Sequence, residues 1–230
     1  MIDQGTQTSE RRTSVDQIFD DLHDQILSLN LRPGDKISEA EIAARFGVSR
    51  QPVRDAFSRL VNLDLIVTRP QRATLVKRFS MREIEKARFI RASIENEVLR
   101  RASALCDAKD AALLDTAIAE QDKAILENNV EAFGRLDYEF HKLLCAIAKT
   151  DFAFDVIEIE KAKVDRLCRL GLSKKDRMPA LVDDHRAIAQ AVKNNQPERA
   201  VEIVTVHLAR LDETIERISE INGNYFQREA

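Results

Sequence analysis

Asp137 and His141 stand four residues apart, and two more histidines, His185 and His207, follow at longer intervals. Residues at i and i+4 share one side of a helix. All four fall among apolar residues spaced as the inner face of a helix. Phe133, Leu136, Phe140, Leu144 and Ile147 surround the Asp137/His141 pair, while Leu181, Ile188, Ala189 and Val192 surround His185. Val201, Val204, Leu208, Leu211 and Ile215 surround His207. Burying ionisable groups is costly unless they are paired or hold a metal. One carboxylate and three imidazoles make a nitrogen/oxygen donor set for a divalent ion, zinc first, with nickel or another transition metal as alternatives. The competing reading is three separate core histidines, each hydrogen-bonded to a neighbour.

A second set of residues points to DNA. Glu39 to Leu63 reads as two short helices joined at Gly47, a residue that tolerates the backbone of a sharp turn. Ser49 is placed to cap the second helix, with Pro52 in its first turn. Val53, Phe57 and Leu60 form that helix's buried stripe, so Arg50 and Arg54 lie on the opposite side. This is the layout of a helix-turn-helix, which lays its second helix in the major groove. Leu65–Thr68 and Thr74–Lys77 then alternate as a β-hairpin, a wing whose tip carries Arg69 and Arg72 toward phosphates or the minor groove. A third set, Arg88, Arg91 and Glu95, follows helical spacing among Ile84, Ala87, Ile90, Ile94 and Val98. An arginine there can clamp a ligand carboxylate through two hydrogen bonds; an exposed salt-bridged face is the equal alternative. Arg166 and Arg169 read as a solvated face.

The elements that position these groups follow from the patterning. The fold class is mainly α, an N-terminal winged helix-turn-helix followed by an all-α antiparallel helical bundle. Residues 1–12 are polar and read as a disordered tail; 13–79 form the DNA-binding domain, 80–222 the helical domain and 223–230 a C-terminal tail. Bundle helices are expected near 80–106, 108–128, 130–149, 152–171, 178–194 and 196–220, the first opened by a capping box at Ser80–Glu83, with Pro179 and Pro197 in first turns. The 230 residues exceed one winged-helix domain of roughly 60–80 and suffice for a second core. No run of about 18 apolar residues is present, so no membrane span is expected. The start of the chain lacks the apolar core of a secretory signal. Cys106, Cys145 and Cys168 are widely spaced in apolar stretches and read as buried free thiols, in keeping with a reducing, cytoplasmic setting.

The net charge is −3, which argues against indiscriminate coating of nucleic acid. Residues 45–78, however, carry eight basic and two acidic residues, whereas 13–44 carry seven acidic and two basic. A focused basic patch on an acidic chain suits one defined DNA surface.

With these motifs in view the chain resembles a GntR-family transcription regulator of the FadR type over nearly its whole length. Leu31 to Leu60 is similar to the family's winged-helix signature, with Ala73 standing where the wing often has glycine. The helical domain resembles the family's ligand-sensing FCD domain. Its metal pattern falls on Asp137, His141, His185 and His207. The resemblance implies a small carboxylate effector, such as a sugar acid, beside the metal and met by Arg91. It also implies DNA contacts at Ser49, Arg50 and Arg54, with Arg45 on the preceding helix. Lys149-Thr150-Asp151 departs from the family's Ser-Gly-Asn at a helix junction. The expected function is a homodimeric repressor, not an enzyme, that reads a palindromic operator under effector control. The alternatives are a metalloenzyme with an accessory DNA-binding domain and a dimerisation bundle with a structural metal.

Overall fold

Thr13 opens the first helix with a reciprocal capping box: its hydroxyl accepts from the Asp16 backbone N–H, and the Asp16 carboxylate accepts from the Thr13 N–H. The computed structural model describes residues 13–68, 72–170 and 174–227. The expected tail over 1–12, the wing-tip Arg69 and the last residues 228–230 lie outside the described residues. The chain divides into two compact units between Arg78 and Phe79.

The first unit is built from α1 (Ser14–Leu27), α2 (Glu39–Phe46) and α3 (Arg50–Asn62), with β1 (Lys36–Ile37), β2 (Ile66–Val67) and β3 (Thr74–Val76). Ile18, Leu22 and Ile26 of α1 meet Ile42 and Ala43 of α2 and Val53, Phe57 and Leu60 of α3 in one core. Gly47 ends α2 at φ 65°, a left-handed conformation that glycine adopts without strain. The three strands are antiparallel in the order β1-β3-β2, with Val67 opposite Leu75 and Ile37 opposite Thr74. The patterning anticipates the β2–β3 hairpin. It misses β1, because two residues are too short to show alternation.

The second unit contains α4 (Met81–Leu105), α5 (Ala108–Leu126), α6 (Val130–Ile147), α7 (Asp151–Cys168), α8 (Lys174–Lys193), α9 (Pro197–Ala209) and α10 (Asp212–Ile221). Helix α4 packs against α7 and α9, and α5 against α6 and α8. Phe133, Phe140, Leu144, Ile157, Ile188, Val192 and Val204 are among the residues that fill the core between them. No helix among the described residues is long and apolar enough to cross a membrane.

Several local details differ from the sequence pattern. The helix expected over 196–220 is two helices, broken at Arg210–Leu211. Pro179 lies inside α8 rather than in its first turn. It is still near the helix start, where the lost backbone bond is the one to Lys175. Ser80 caps α4 by accepting from the Glu83 N–H. Residues 223–227 do not simply trail away. Gly223–Tyr225 forms a 3-10 turn, and Phe226 lies beside Phe79 with backbone bonds of 2.9 and 2.8 Å to either side. Phe79 thereby joins the second unit. Arg166 is buried rather than solvated, its guanidinium 4.7 Å from the Phe79 ring. Lys149 takes φ 56° at the α6–α7 junction, in the left-handed region. Cys145 and Cys168 are buried and Cys106 is half-buried at the end of α4; all three are free, and burial pushes the Cys145 thiol up to about 12.

Candidate functional site

Helices α6, α8 and α9 bring His141, His185 and His207 together in the bundle interior, where the exposures are 2%, 0% and 6%. Their ligand-capable nitrogens lie within 4.8 Å of one another. Each ring is tied back on its other side. His141 Nδ1 is 3.0 Å from Glu95 Oε2 on α4. His185 Nδ1 is 2.8 Å from Gln121 Oε1 on α5. His207 Nδ1 is 3.3 Å from Asp184 Oδ2 on α8. All three partners are acceptors, so Nδ1 carries the proton and the lone pair remains on Nε2. The Nε2 atoms of His141 and His185 are buried with no hydrogen-bond partner among the described residues. A buried polar atom left this way calls for an explanation, and a metal ion supplies one.

Asp137, one helical turn before His141, joins the cluster. Its Oδ1 is 3.5 Å from His185 Nε2 and 3.9 Å from His141 Nε2. Its other oxygen, Oδ2, lies 2.7 Å from Lys161 Nζ on α7. Burial pushes the His185 and His207 pKa values down, which favours the neutral rings that a cation needs as ligands. Burial also works against ionised Asp184, but hydrogen bonds from His207 and Arg210 outweigh it and hold the carboxylate at about 2.

The α4 residues take different places. Arg91 and Glu95 are both buried and form an i,i+4 ion pair, with Nη2 2.8 Å from Oε1. Burial again opposes the charge on Glu95, and Arg91 with His141 more than compensates. Glu95 thus orients an imidazole, and Arg91 balances it. Arg88 pairs with Asp212 of α10.

On the first unit, Ser49, Arg50, Arg54 and Arg72 are exposed. Ser49 occupies the N-cap position of α3 with extended backbone, but its side chain makes no cap hydrogen bond. The hydroxyl expected to cap the helix is instead presented at its start. Arg54 Nε is 3.1 Å from Glu39 Oε2, and Arg45 pairs with Asp21. Arg59 pairs with Asp16 at 2.8 Å and lies over the Phe19 ring. Among the described residues Arg50 has no ion-pair partner.

Comparison with known proteins decides the family. Residues 14–76 match the model described as "Bacterial regulatory proteins, gntR family", and residues 87–210 match the FCD domain. The chain is 34% identical over 224 residues to the HTH-type transcriptional repressor RspR of Escherichia coli strain K12, covering 97% of this chain and 98% of that protein. The chain belongs to the GntR family of transcription regulators. Another relative of this GntR regulator is the "Probable D-xylose utilization operon transcriptional repressor" of Paenarthrobacter nicotinovorans, 25% identical over 86% of this chain and 87% of that one. Its fold is that of two solved structures. E. coli McbR/YncC has a TM-score of 0.70 at 17% identity, covering 90% of this chain and 99% of that one. A regulator from Rhodococcus sp. RHA1 has a TM-score of 0.69 at 20% identity, covering 88% and 97%.

In this GntR regulator sequence reasoning singles out Glu95 but misses the other residues that hold the imidazoles and Asp137. Gln121 sits on a stripe with Leu114, Ile118 and Ala124, Asp184 follows Leu181 by three residues, and Lys161 lies between Ile157 and Val164. Each is a polar residue on an apolar face, the same signal that singled out the histidines.

Proposed function

We propose that this regulator is a homodimeric repressor whose operator affinity responds to a small organic-acid or sugar-acid effector bound beside a divalent metal. His141, His185, His207 and Asp137 would hold the metal, and the donor set of nitrogen and oxygen suits zinc, with nickel or a related ion as alternatives. The observation that carries this is the tying back of all three Nδ1 atoms, while the buried Nε2 atoms of His141 and His185 have no hydrogen-bond partner among the described residues. A bound metal would supply a Lewis-acid anchor for an effector carboxylate. The chain's own cations, Arg91 and Arg88, would complement the charge of that carboxylate, and Glu95 would keep His141 and Arg91 in register. The printed names of RspR and of the xylose-operon relative support repression and a sugar-linked effector.

At the output end Ser49, Arg50 and Arg54 of α3, with Arg45 of α2, would read a half-site, while Arg69 and Arg72 would contact backbone or minor groove. A two-fold dimer matches a palindromic operator. The ion pairs on Arg45 and Arg54 are exposed and weak, so phosphate can replace their carboxylate partners. The effector would act by binding one arrangement of the protein better than another, since a ligand with equal affinity for both shifts nothing.

Two measurements test this. In a gel-shift assay on the regulator's own promoter fragment, Arg50→Ala/Arg54→Ala is expected to lose about 1–3 kcal/mol for each base contact removed. Undiminished operator binding would rule out the assignment. In a thermal-shift panel of sugar acids and dicarboxylates on metal-loaded protein, a specific ligand at about 100 times its Kd adds about 2.7 kcal/mol of stability. A panel with no shift would leave the bundle as a dimerisation device.

A further inference from the structure

Lys161 is the charged group that a four-residue metal site does not use. It is 4% exposed on the inner face of α7, a depth at which lysine is almost never found unpaired. Its Nζ is 2.7 Å from Asp137 Oδ2 and 2.6 Å from Asp165 Oδ2. Tyr138 donates its hydroxyl to Asp165 Oδ2 at 3.1 Å and sets its ring 4.2 Å from the ammonium. Asp137 is therefore shared. One oxygen faces a fixed cation, and the other faces the imidazole nitrogens of His141 and His185.

We propose that Lys161 is a positioning residue that sets how tightly the helical unit holds a divalent ion, by occupying one oxygen of Asp137. The proposal rests on the reading of the histidine cluster as a metal site. Lys161 turns Asp137 so that a single oxygen remains for the ion. It also places a positive charge across the same carboxylate from a dication, in a dry interior where such repulsion is poorly screened. Asp165 moderates the effect by drawing part of the ammonium's charge away from Asp137. The ion is then held more loosely than one carboxylate and three imidazoles would hold it alone, and it stays exchangeable.

Two substitutions move affinity in opposite directions. Lys161→Met keeps the length and bulk of the side chain but removes the charge. Asp165→Asn removes the second negative charge and leaves Asp137 as the carboxylate that balances the ammonium. The full-length protein is stripped of metal and titrated with Zn²⁺ against a chromophoric chelator, and with Co²⁺ followed by its visible absorption. Lys161→Met is expected to bind Zn²⁺ roughly tenfold or more tightly than the native protein, and Asp165→Asn roughly tenfold more weakly. Lys161→Arg, which keeps the cation, should stay close to native. The Co²⁺ spectrum of Lys161→Met should also change, because the ammonium no longer holds Asp137 Oδ2. A merely structural lysine would give instability without this opposition of sign. Unchanged affinities in both variants, or shifts in the same direction, overturn the proposal while leaving the metal site intact. If the native protein binds neither ion, both readings fall together. If Lys161→Met does not fold, Asp165→Asn decides: weaker binding supports the proposal, and unchanged or tighter binding overturns it.

Discussion

His185→Ala is expected to abolish measurable metal retention after dialysis, with affinity reduced by more than the 10–100-fold typical of losing an outer partner. The reason is positional. His185 is fully buried, stacks on Phe140 with ring centroids 4.4 Å apart, and presents Nε2 to Asp137 and the other rings. Its loss would remove one of the three clustered imidazoles proposed to hold the ion. Gln121→Ala, which removes only the acceptor of the Nδ1–H, should fall within the 10–100-fold range. Elemental analysis and chelator competition on the purified variants check the order. Full metal occupancy in His185→Ala would show that the ring is an ordinary core histidine.

Arg91→Ala should be among the most destabilising single changes in the helical unit, at about 3–5 kcal/mol, because it leaves the Glu95 carboxylate buried without its cation. The charge is the cause rather than the lost packing, and a second change separates the two. Glu95→Gln in the Arg91→Ala background should recover much of the loss. A glutamine carbonyl can still accept from His141 Nδ1–H but brings no buried charge. Thermal unfolding of the four proteins in the cycle gives the coupling directly. Additive effects of the two changes would show that Arg91 contributes by volume alone.

Much of this architecture is legible in the residues. Apolar spacing places the helices, and the breaks at Gly47 and the Asn195–Pro197 stretch separate them. The same spacing marks Asp137, His141, His185 and His207 as inward-facing. It applies equally to Lys161, Gln121 and Asp184, but lysine and glutamine do not announce metal chemistry, Asp184 has no histidine one turn on as Asp137 does, and their importance comes from which side chain on a distant helix they meet. Glu95 shows the same limit. Its helical spacing with Arg91 leaves two readings, an arginine clamping a ligand carboxylate and an exposed salt-bridged face, and only packing of α4 against α6 and its neighbours shows that the two form a buried ion pair tied to His141. Short-range features escape for another reason. β1 has two residues, and the break at Arg210–Leu211 carries no glycine or proline. Arg210 there reaches back to Asp184 at 2.7 Å, a long-range contact with no local sign.

The acidic partners on the winged unit have a consequence for how the regulator finds its site. Asp21 and Glu39 pair with Arg45 and Arg54, so if these arginines meet phosphate as proposed, the contact exchanges one set of ion pairs for another. Breaking each pair offsets part of the gain from meeting a phosphate, so the net gain on arbitrary sequence is reduced. A head arranged in this way lingers little on random duplex. On the proposed reading by α3, discrimination falls to groups such as Arg50, which among the described residues has no ion-pair partner to surrender.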